Sequence, residues 1–238
     1  MIELRPFEKL GKSNHGWLDA NFHFSFAEYR DPKRVHWGAL RVWNNDRIAP
    51  DTGFPPHPHR DMEIVTYVIK GAITHQDHLG NQGRTEAGQI QVMSAGQGIQ
   101  HAEYNREDAE TELFQIWILP NKQGVPARWE TVDFPAEARD GRLLPLASGR
   151  GHEGAIPLHA DGALYAGKLK AGQTIRQRLD GKPAYLVPAK GKIEIRSGSA
   201  APVIAKARDG VAVDQQDEIE ITAVEDAEIV LVETDRLN

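Results

Sequence analysis

The sequence predicts an all-β protein, a sandwich or barrel architecture built twice. Three observations support this. Short runs rich in β-branched and aromatic residues recur along the chain, glycine-rich turns separate them, and helical periodicity is almost absent. The 238 residues suffice for one large or two small domains. A loose internal repeat favours two units, 1–130 and 131–238.

In chain order, Phe22-His23-Phe24-Ser25-Phe26 alternates as a half-buried strand does, and Gly38 to Asn44 is a second candidate. Asp51 to Pro56 reads as a loop leading into His57-Pro58-His59. Pro58 cannot donate to a ladder, so its strand is expected at an edge, at a strand start or at a bulge. Ile64–Ile69, Lys70-Gly71 and Ala72–Gln76 read as a hairpin. Gln89–Met93 alternates strictly, and Leu113–Leu119 is an apolar strand ending at Pro120. Prolines and glycines between Gln123 and Leu158 mark the connection. Six further strand candidates follow, from Ala163–Leu169 to Ala227–Val232.

The repeat aligns His57-Pro58-His59, a strand and Lys70-Gly71 with Arg176-Gln177-Arg178, a strand and Lys190-Gly191. It also aligns Gly88 to Glu103 with Gly210 to about Val224. His101 and Glu103 then meet Ile221 or Thr222 and Ala223 or Val224, and the two histidines meet Arg176 and Arg178. Guanidinium groups do not ligate divalent metals.

A net charge of -6 with no basic stripe argues against direct contact with nucleic acid. With no cysteine, disulfides, thiolate metal sites and thiol catalysis are excluded. The N-terminus has no apolar segment of signal-peptide length and no run reaches membrane-spanning length, which gives the expectation of a cytoplasmic protein without a membrane partner. No G-x-S-x-G elbow and no P-loop occur.

The chemistry concentrates between Phe54 and Asn105, where His57/His59 and His101/Glu103 form two pairs of potential ligands. Side chains at i and i+2 of a strand share a face, so two such strands can direct three imidazoles and a carboxylate at one ion. Nitrogen and oxygen donors of this kind suit iron, nickel, copper, manganese, cobalt or zinc. Glu63, four residues after His59, is a rival carboxylate, as an alternative ligand or as support for a histidine. His75 and His78 flank Asp77 and read as a solvated turn, and His23 reads as a structural histidine.

His57-Pro58-His59-Arg60-Asp61-Met62-Glu63, the longer motif Met93 to Asn105, and His15-Gly16-Trp17-Leu18-Asp19 with Phe24-Ser25-Phe26 resemble pirin, of the cupin superfamily. The resemblance is closest to bacterial pirin-like quercetin 2,3-dioxygenases and strongest from about His15 to Leu119. It implies a bicupin of two antiparallel β-barrel (jelly-roll) domains with few short helices. The N-terminal barrel would hold the metal and the C-terminal barrel would be degenerate. The resemblance implies His57, His59, His101 and Glu103 as ligands, usually around Fe(II), with substrate-contacting residues unspecified. General cupins place the carboxylate at the Glu63 spacing and a proline where Ser94 stands, whereas pirins use the second-motif glutamate. The implied activity is dioxygen-dependent cleavage of flavonols such as quercetin, with Glu103 as general base. The alternative it implies is an iron-based redox sensor that binds a protein partner.

Overall fold

The computed structural model describes residues 1–199 and 201–237. In the first part of the chain the strands are β1 (Ile2–Arg5), β2 (Gly11–Asn14), β3 (Leu18–Phe22), β4 (Leu40–Ile48), β5 (Gly53–His59) and β6 (Glu63–Lys70). They continue as β7 (Ala72–Asp77), β8 (Gln82–Glu86), β9 (Ile90–Ser94), β10 (Ile99–Tyr104), β11 (Thr111–Ile118) and β12 (Arg128–Val132). The later strands are β13 (Leu143–Ser148), β14 (Ile156–Pro157), β15 (Gly162–Leu169), β16 (Thr174–Arg178) and β17 (Ala184–Lys190). The last five are β18 (Lys192–Arg196), β19 (Val203–Lys206), β20 (Gly210–Val213), β21 (Glu218–Ala223) and β22 (Ala227–Thr234). Two short 3-10 turns, Phe7–Lys9 and Ala136–Arg139, are the helical elements among the described residues.

Each half is a sandwich of a seven-stranded and a four-stranded sheet. The first half has the orders β12-β9-β6-β11-β4-β3-β2 and β5-β10-β7-β8; the second has β1-β20-β17-β22-β15-β13-β14 and β16-β21-β18-β19. The small sheets and the five inner strands of the large sheets correspond in order, so the loose sequence repeat is a real duplication; the edges differ, β2 being antiparallel to β3 and β14 parallel to β13. The all-β, jelly-roll expectation holds, with open sheets rather than closed barrels. The first strand of the chain completes the sheet of the second half, Ile2 to Arg5 pairing with Val213 to Gly210.

The two large sheets pack on each other through one apolar cluster. Val65, Tyr67, Phe114 and Ile116 from one side meet Leu164, Tyr185, Val230 and Val232 from the other. The opposite face of the second large sheet packs on its small sheet. β22 is therefore buried on both faces, which is why its centre, 229–232, reads as a continuous apolar run. The same holds for β6 up to Ile69, with Val65 and Tyr67 facing the joint and Ile64, Thr66 and Val68 facing the other way.

β5 is an edge strand, which satisfies the restriction imposed by Pro58. The expected hairpin Ile64–Gln76 is corrected. β6 pairs with β9 and β11, while β7 pairs with β8 and β10, so the chain crosses between sheets at Gly71. Gly71 has φ +74, and a Cβ there would meet Thr111 Oγ1 at 2.6 Å. A sheet crossing and a hairpin use the same turn residues, so the local sequence does not separate them.

Candidate metal centre

The first ligand pair lies at the end of β5 and the second on β10, and the two strands are antiparallel neighbours. His57 is directly opposite His101, and Ile99 opposite His59; a bulge between His101 and Glu103 then sets Glu103 opposite Phe54. The three rings converge, with centroids 4.4 Å apart for His57–His101, 4.9 Å for His57–His59 and 5.0 Å for His59–His101. One nitrogen of each lies within 4.8 Å of the others.

The hydrogen bonds fix which nitrogens are free. Pro55 O accepts from His57 Nδ1–H at 2.7 Å, which leaves the His57 Nε2 lone pair unused. His101 Nδ1 lies 3.3 Å from His75 Nδ1, and His75 Nε2 lies 2.9 Å from Asp77 Oδ2. Asp77 accepts from His75 Nε2–H, His75 Nδ1 accepts from His101 Nδ1–H, and His101 Nε2 keeps its lone pair. That Nε2 atom is buried and has no hydrogen-bond partner among the described residues. A buried acceptor beside two other imidazoles fits a bound cation. Burial lowers the His101 pKa to about 2, with the His57, His59 and His75 charges adding to it. Burial, then His57, lowers that of His59 to about 4. Both rings are therefore neutral donors at neutral pH.

His75, His101 and Glu103 form a second close group. Both nitrogens of His75 are already engaged, so this group serves as support rather than as a separate cation site. Burial tends to raise the Asp77 carboxyl, but hydrogen bonds from His75 and Asn81 hold it below its ordinary value. The reading of His75 as a solvated turn residue is thus corrected: it is fully buried behind His101 and stacked on Trp129 at 4.7 Å. The alternation of Ile73 and His75 along one strand is the signal that identifies it.

Glu103 sits at the floor of the site. Gln91 Nε2 and Thr66 Oγ1 donate to its Oε1, and Gln115 Nε2 donates to its Oε2 at 3.0 Å. Burial pushes its carboxyl up, while His75, His57 and the Gln115 and Thr66 hydrogen bonds oppose the shift. Glu63 is elsewhere, which corrects the rival assignment. The rule that i and i+4 share a face requires an unbroken strand, but β5 ends at His59 and a turn with Asp61 at φ +44 intervenes. Glu63 opens β6 on the face of Val65 and Tyr67, where it accepts from Ser94 Oγ at 2.8 Å and from the His159 amide at 3.1 Å. It therefore ties the two halves together. His23 is also buried at this joint, 2.9 Å from the Tyr185 hydroxyl.

A cavity of about 430 Å³ opens over the cluster. Trp17, Phe22, Phe26, Phe54 and Trp117 supply apolar walls, and Asn44, Asp46, His57, His59, His101 and Glu103 supply polar groups. This is the size and composition of a small-molecule site.

The second half has the same frame without donors. Counted from the shared Lys-Gly turns, Ile195 takes the place of His75, and Ile219 opposite Gln177 takes the ladder position of His101 opposite His57. Ile221, opposite Ile175 and Ile195, takes the place of Glu103 opposite Phe54 and His75. The pairing of the histidines with Arg176 and Arg178 is corrected by one residue: both arginines face solvent, while Ile219, Ile221 and Ala223 fill the core.

The pirin family profile matches residues 3–118, and that of the quercetinase C-terminal cupin domain matches residues 145–234. A pirin-like protein of Caulobacter vibrioides is 53% identical over 235 residues, covering 98% of this chain and 99% of its own. The chain belongs to the pirin family. Among other pirin relatives, the quercetin 2,3-dioxygenase of Escherichia coli strain K12 is 41% identical over 233 residues, covering 97% of each chain. The crystal structure of the bacterial pirin YhhW from Escherichia coli in complex with nickel(II) has a TM-score of 0.91 and 36% identity, covering 100% of each chain. Among the described residues, no helix is long and apolar enough to cross a membrane.

Proposed function

We propose that this pirin is a metal-dependent dioxygenase that cleaves flavonols, quercetin among them, with dioxygen. The observation that carries it is the convergence of three imidazoles, one with an unpartnered buried Nε2, on the floor of an aromatic-walled cavity that Glu103 also lines. The relatives support the substrate class, since the quercetin 2,3-dioxygenase named above aligns over nearly the whole chain. His57, His59, His101 and Glu103 would hold one divalent metal, Fe(II) in our reading, with nickel, copper, manganese, cobalt and zinc as competitors. We assign residues 1–130 as the metal-binding cupin unit and 131–238 as the unit without metal, in a cytoplasmic protein.

When bound, the metal supplies Lewis acidity toward the flavonol 3-oxygen and, if redox-active, electronic contact with dioxygen. The chain's own groups do the rest. Trp17, Phe54 and Trp117 present apolar surface to a flat ring system and exclude water around it. Gln91, Thr66 and Gln115 leave one lone pair, on Glu103 Oε2, which would serve the metal or, once released from it, the proton of the 3-hydroxyl. Burial makes that carboxylate a stronger base than an exposed one. Gln91, Thr66 and Gln115 hold it in position while the proton transfers. The net reaction consumes dioxygen and releases carbon monoxide from the opened heterocycle.

The test is oxygen uptake together with loss of flavonol absorbance, using protein loaded in turn with each candidate metal. Turnover by the wild type and its loss in Glu103→Ala are expected. No oxygen uptake with any of these metals would overturn the proposal.

A further inference from the structure

The cavity face of the large sheet carries a row in register across five strands, polar on the first four and closed by Phe22 on the fifth. Gln91 on β9 pairs with Thr66 on β6, Thr66 with Gln115 on β11, Gln115 with Asn44 on β4, and Asn44 with Phe22 on β3. The first three of these residues are accounted for, since all donate to Glu103. Asn44 is not. Its Oδ1 is buried without a hydrogen-bond partner among the described residues.

Two residues along β4, Asp46 lies on the same face. It belongs to a row whose other members are Val68, Leu113 and Ala20, all part of one apolar cluster. Its Oδ1 is likewise buried without a partner. Both residues line the cavity, and both are less than 5% exposed. A carboxyl and an amide set into an apolar wall without partners are each destabilising, and neither contributes to the histidine cluster. β4 lies between β11 and β3 in the middle of its sheet, so the two groups are fixed in position.

We propose that Asn44 and Asp46 are specificity-determining residues that bind further ring hydroxyls of a polyhydroxylated aromatic substrate, beyond its metal-directed oxygen. This rests on the flavonol reading above and deepens it. Burial, then the Glu103 and Asp19 charges, raise the Asp46 pKa to about 8, so its carboxyl both donates to and accepts from one phenolic hydroxyl, and Asn44 does the same for its neighbour. The i, i+2 spacing sets the two side chains about 6.6 Å apart, wider than two adjacent hydroxyl oxygens, so each reaches one hydroxyl of the pair from its outer side. The surrounding aromatic walls give binding energy to any flat ligand, so selection for hydroxylated rings falls to these two residues.

The experiment measures equilibrium binding of quercetin and of 3-hydroxyflavone, which lacks the additional ring hydroxyls. Quenching of tryptophan fluorescence is followed in nickel(II)-loaded protein with oxygen excluded. The wild type is expected to favour quercetin by about tenfold or more, the discrimination typical of a site that hydrogen-bonds a ligand hydroxyl. In Asn44→Leu/Asp46→Leu that preference falls to within about threefold, while affinity for 3-hydroxyflavone is retained. Asp46→Asn, which keeps the side-chain shape, loses part of the preference and covers the case in which the double variant fails to fold. The proposal is overturned if the wild type shows no preference, or if the variants weaken both ligands equally. Preference without oxygen uptake would reject the dioxygenase assignment and leave the hydroxyl-binding pair standing.

Discussion

Asp77→Asn is expected to weaken metal binding without touching a proposed ligand. Asp77 Oδ1 accepts the Leu79 and Asn81 amides at 3.0 and 3.1 Å, and Oδ2 accepts from His75 Nε2 and Asn81 Nδ2, both at 2.9 Å. An asparagine has one acceptor oxygen, and two backbone donors hold it on the Oδ1 side. The new NH2 group therefore faces His75 Nε2, which must give up its proton. His75 then carries the proton on Nδ1 and directs it at His101 Nδ1, and His101 moves its own proton to Nε2, the atom that faces the cluster. Rotating the amide instead sets its NH2 against both backbone donors and leaves them unsatisfied, at about 1–3 kcal/mol each. Metal binding must therefore reverse the tautomer chain, which requires the rotated amide and its cost. The expected loss is about 10- to 100-fold in affinity, or roughly 1.4–2.8 kcal/mol. The assay is nickel(II) titration against a competing chelator, with the circular dichroism spectrum as a check on the fold. Affinity within about threefold of wild type, with the fold intact, would refute the tautomer assignment.

His101→Ala removes the unpartnered Nε2, so stoichiometric metal should be lost in elemental analysis after gel filtration. Glu63→Ala should lower stability by about 1–3 kcal/mol in urea titration, because the His159 amide and the Ser94 hydroxyl lose their acceptor, and should leave metal affinity unchanged. An effect of Glu63→Ala on metal affinity larger than its effect on stability would return Glu63 to the site. His23 has its pKa lowered to about 3, by burial first and then by the Arg5 and Arg34 charges. Between pH 6.5 and 3 the unfolded chain therefore binds a proton that the folded chain does not. Its destabilising contribution is negligible above pH 6.5 and grows by about 1.4 kcal/mol per unit as the pH falls. The stability of metal-free His23→Gln, measured by urea titration from pH 7.5 to 4.5, should show a correspondingly flatter acid limb, and parallel curves would contradict it.

Much of the site was legible before any coordinates, because ligand pairs at i and i+2 need only the period of a strand. His57 and His59, and His101 and Glu103, have that property whichever sheet holds them. What the chain did not disclose was how faces are assigned across turns. Glu63 shares parity with His59 along the sequence, and the turn at Asp61 ends that relation. The arginines Arg176 and Arg178 imitate the spacing of the two histidines yet face water, because a shift of one residue exchanges the faces of a strand. His75 was misread for a related reason. Hydrophilic neighbours such as Gln76, Asp77 and His78 suggest a solvated loop, but only alternate residues of β7 face outward. Asn44 and Asp46 carry no motif, and nothing short of the β4 register sets them against the cavity.

The pairing of β1 with β20 sets an order on assembly. Residues 2–5 are made long before their partners at 210–213. Until then the opening segment has no sheet to join, and afterwards it covers a main-chain edge that would otherwise template association with another chain. Closing a loop that spans most of the chain is slow relative to local pairing, so the second half should consolidate late. A fusion or trimming at Met1 would then be felt in the half of the molecule farthest from it in sequence, as self-association rather than as a damaged metal centre.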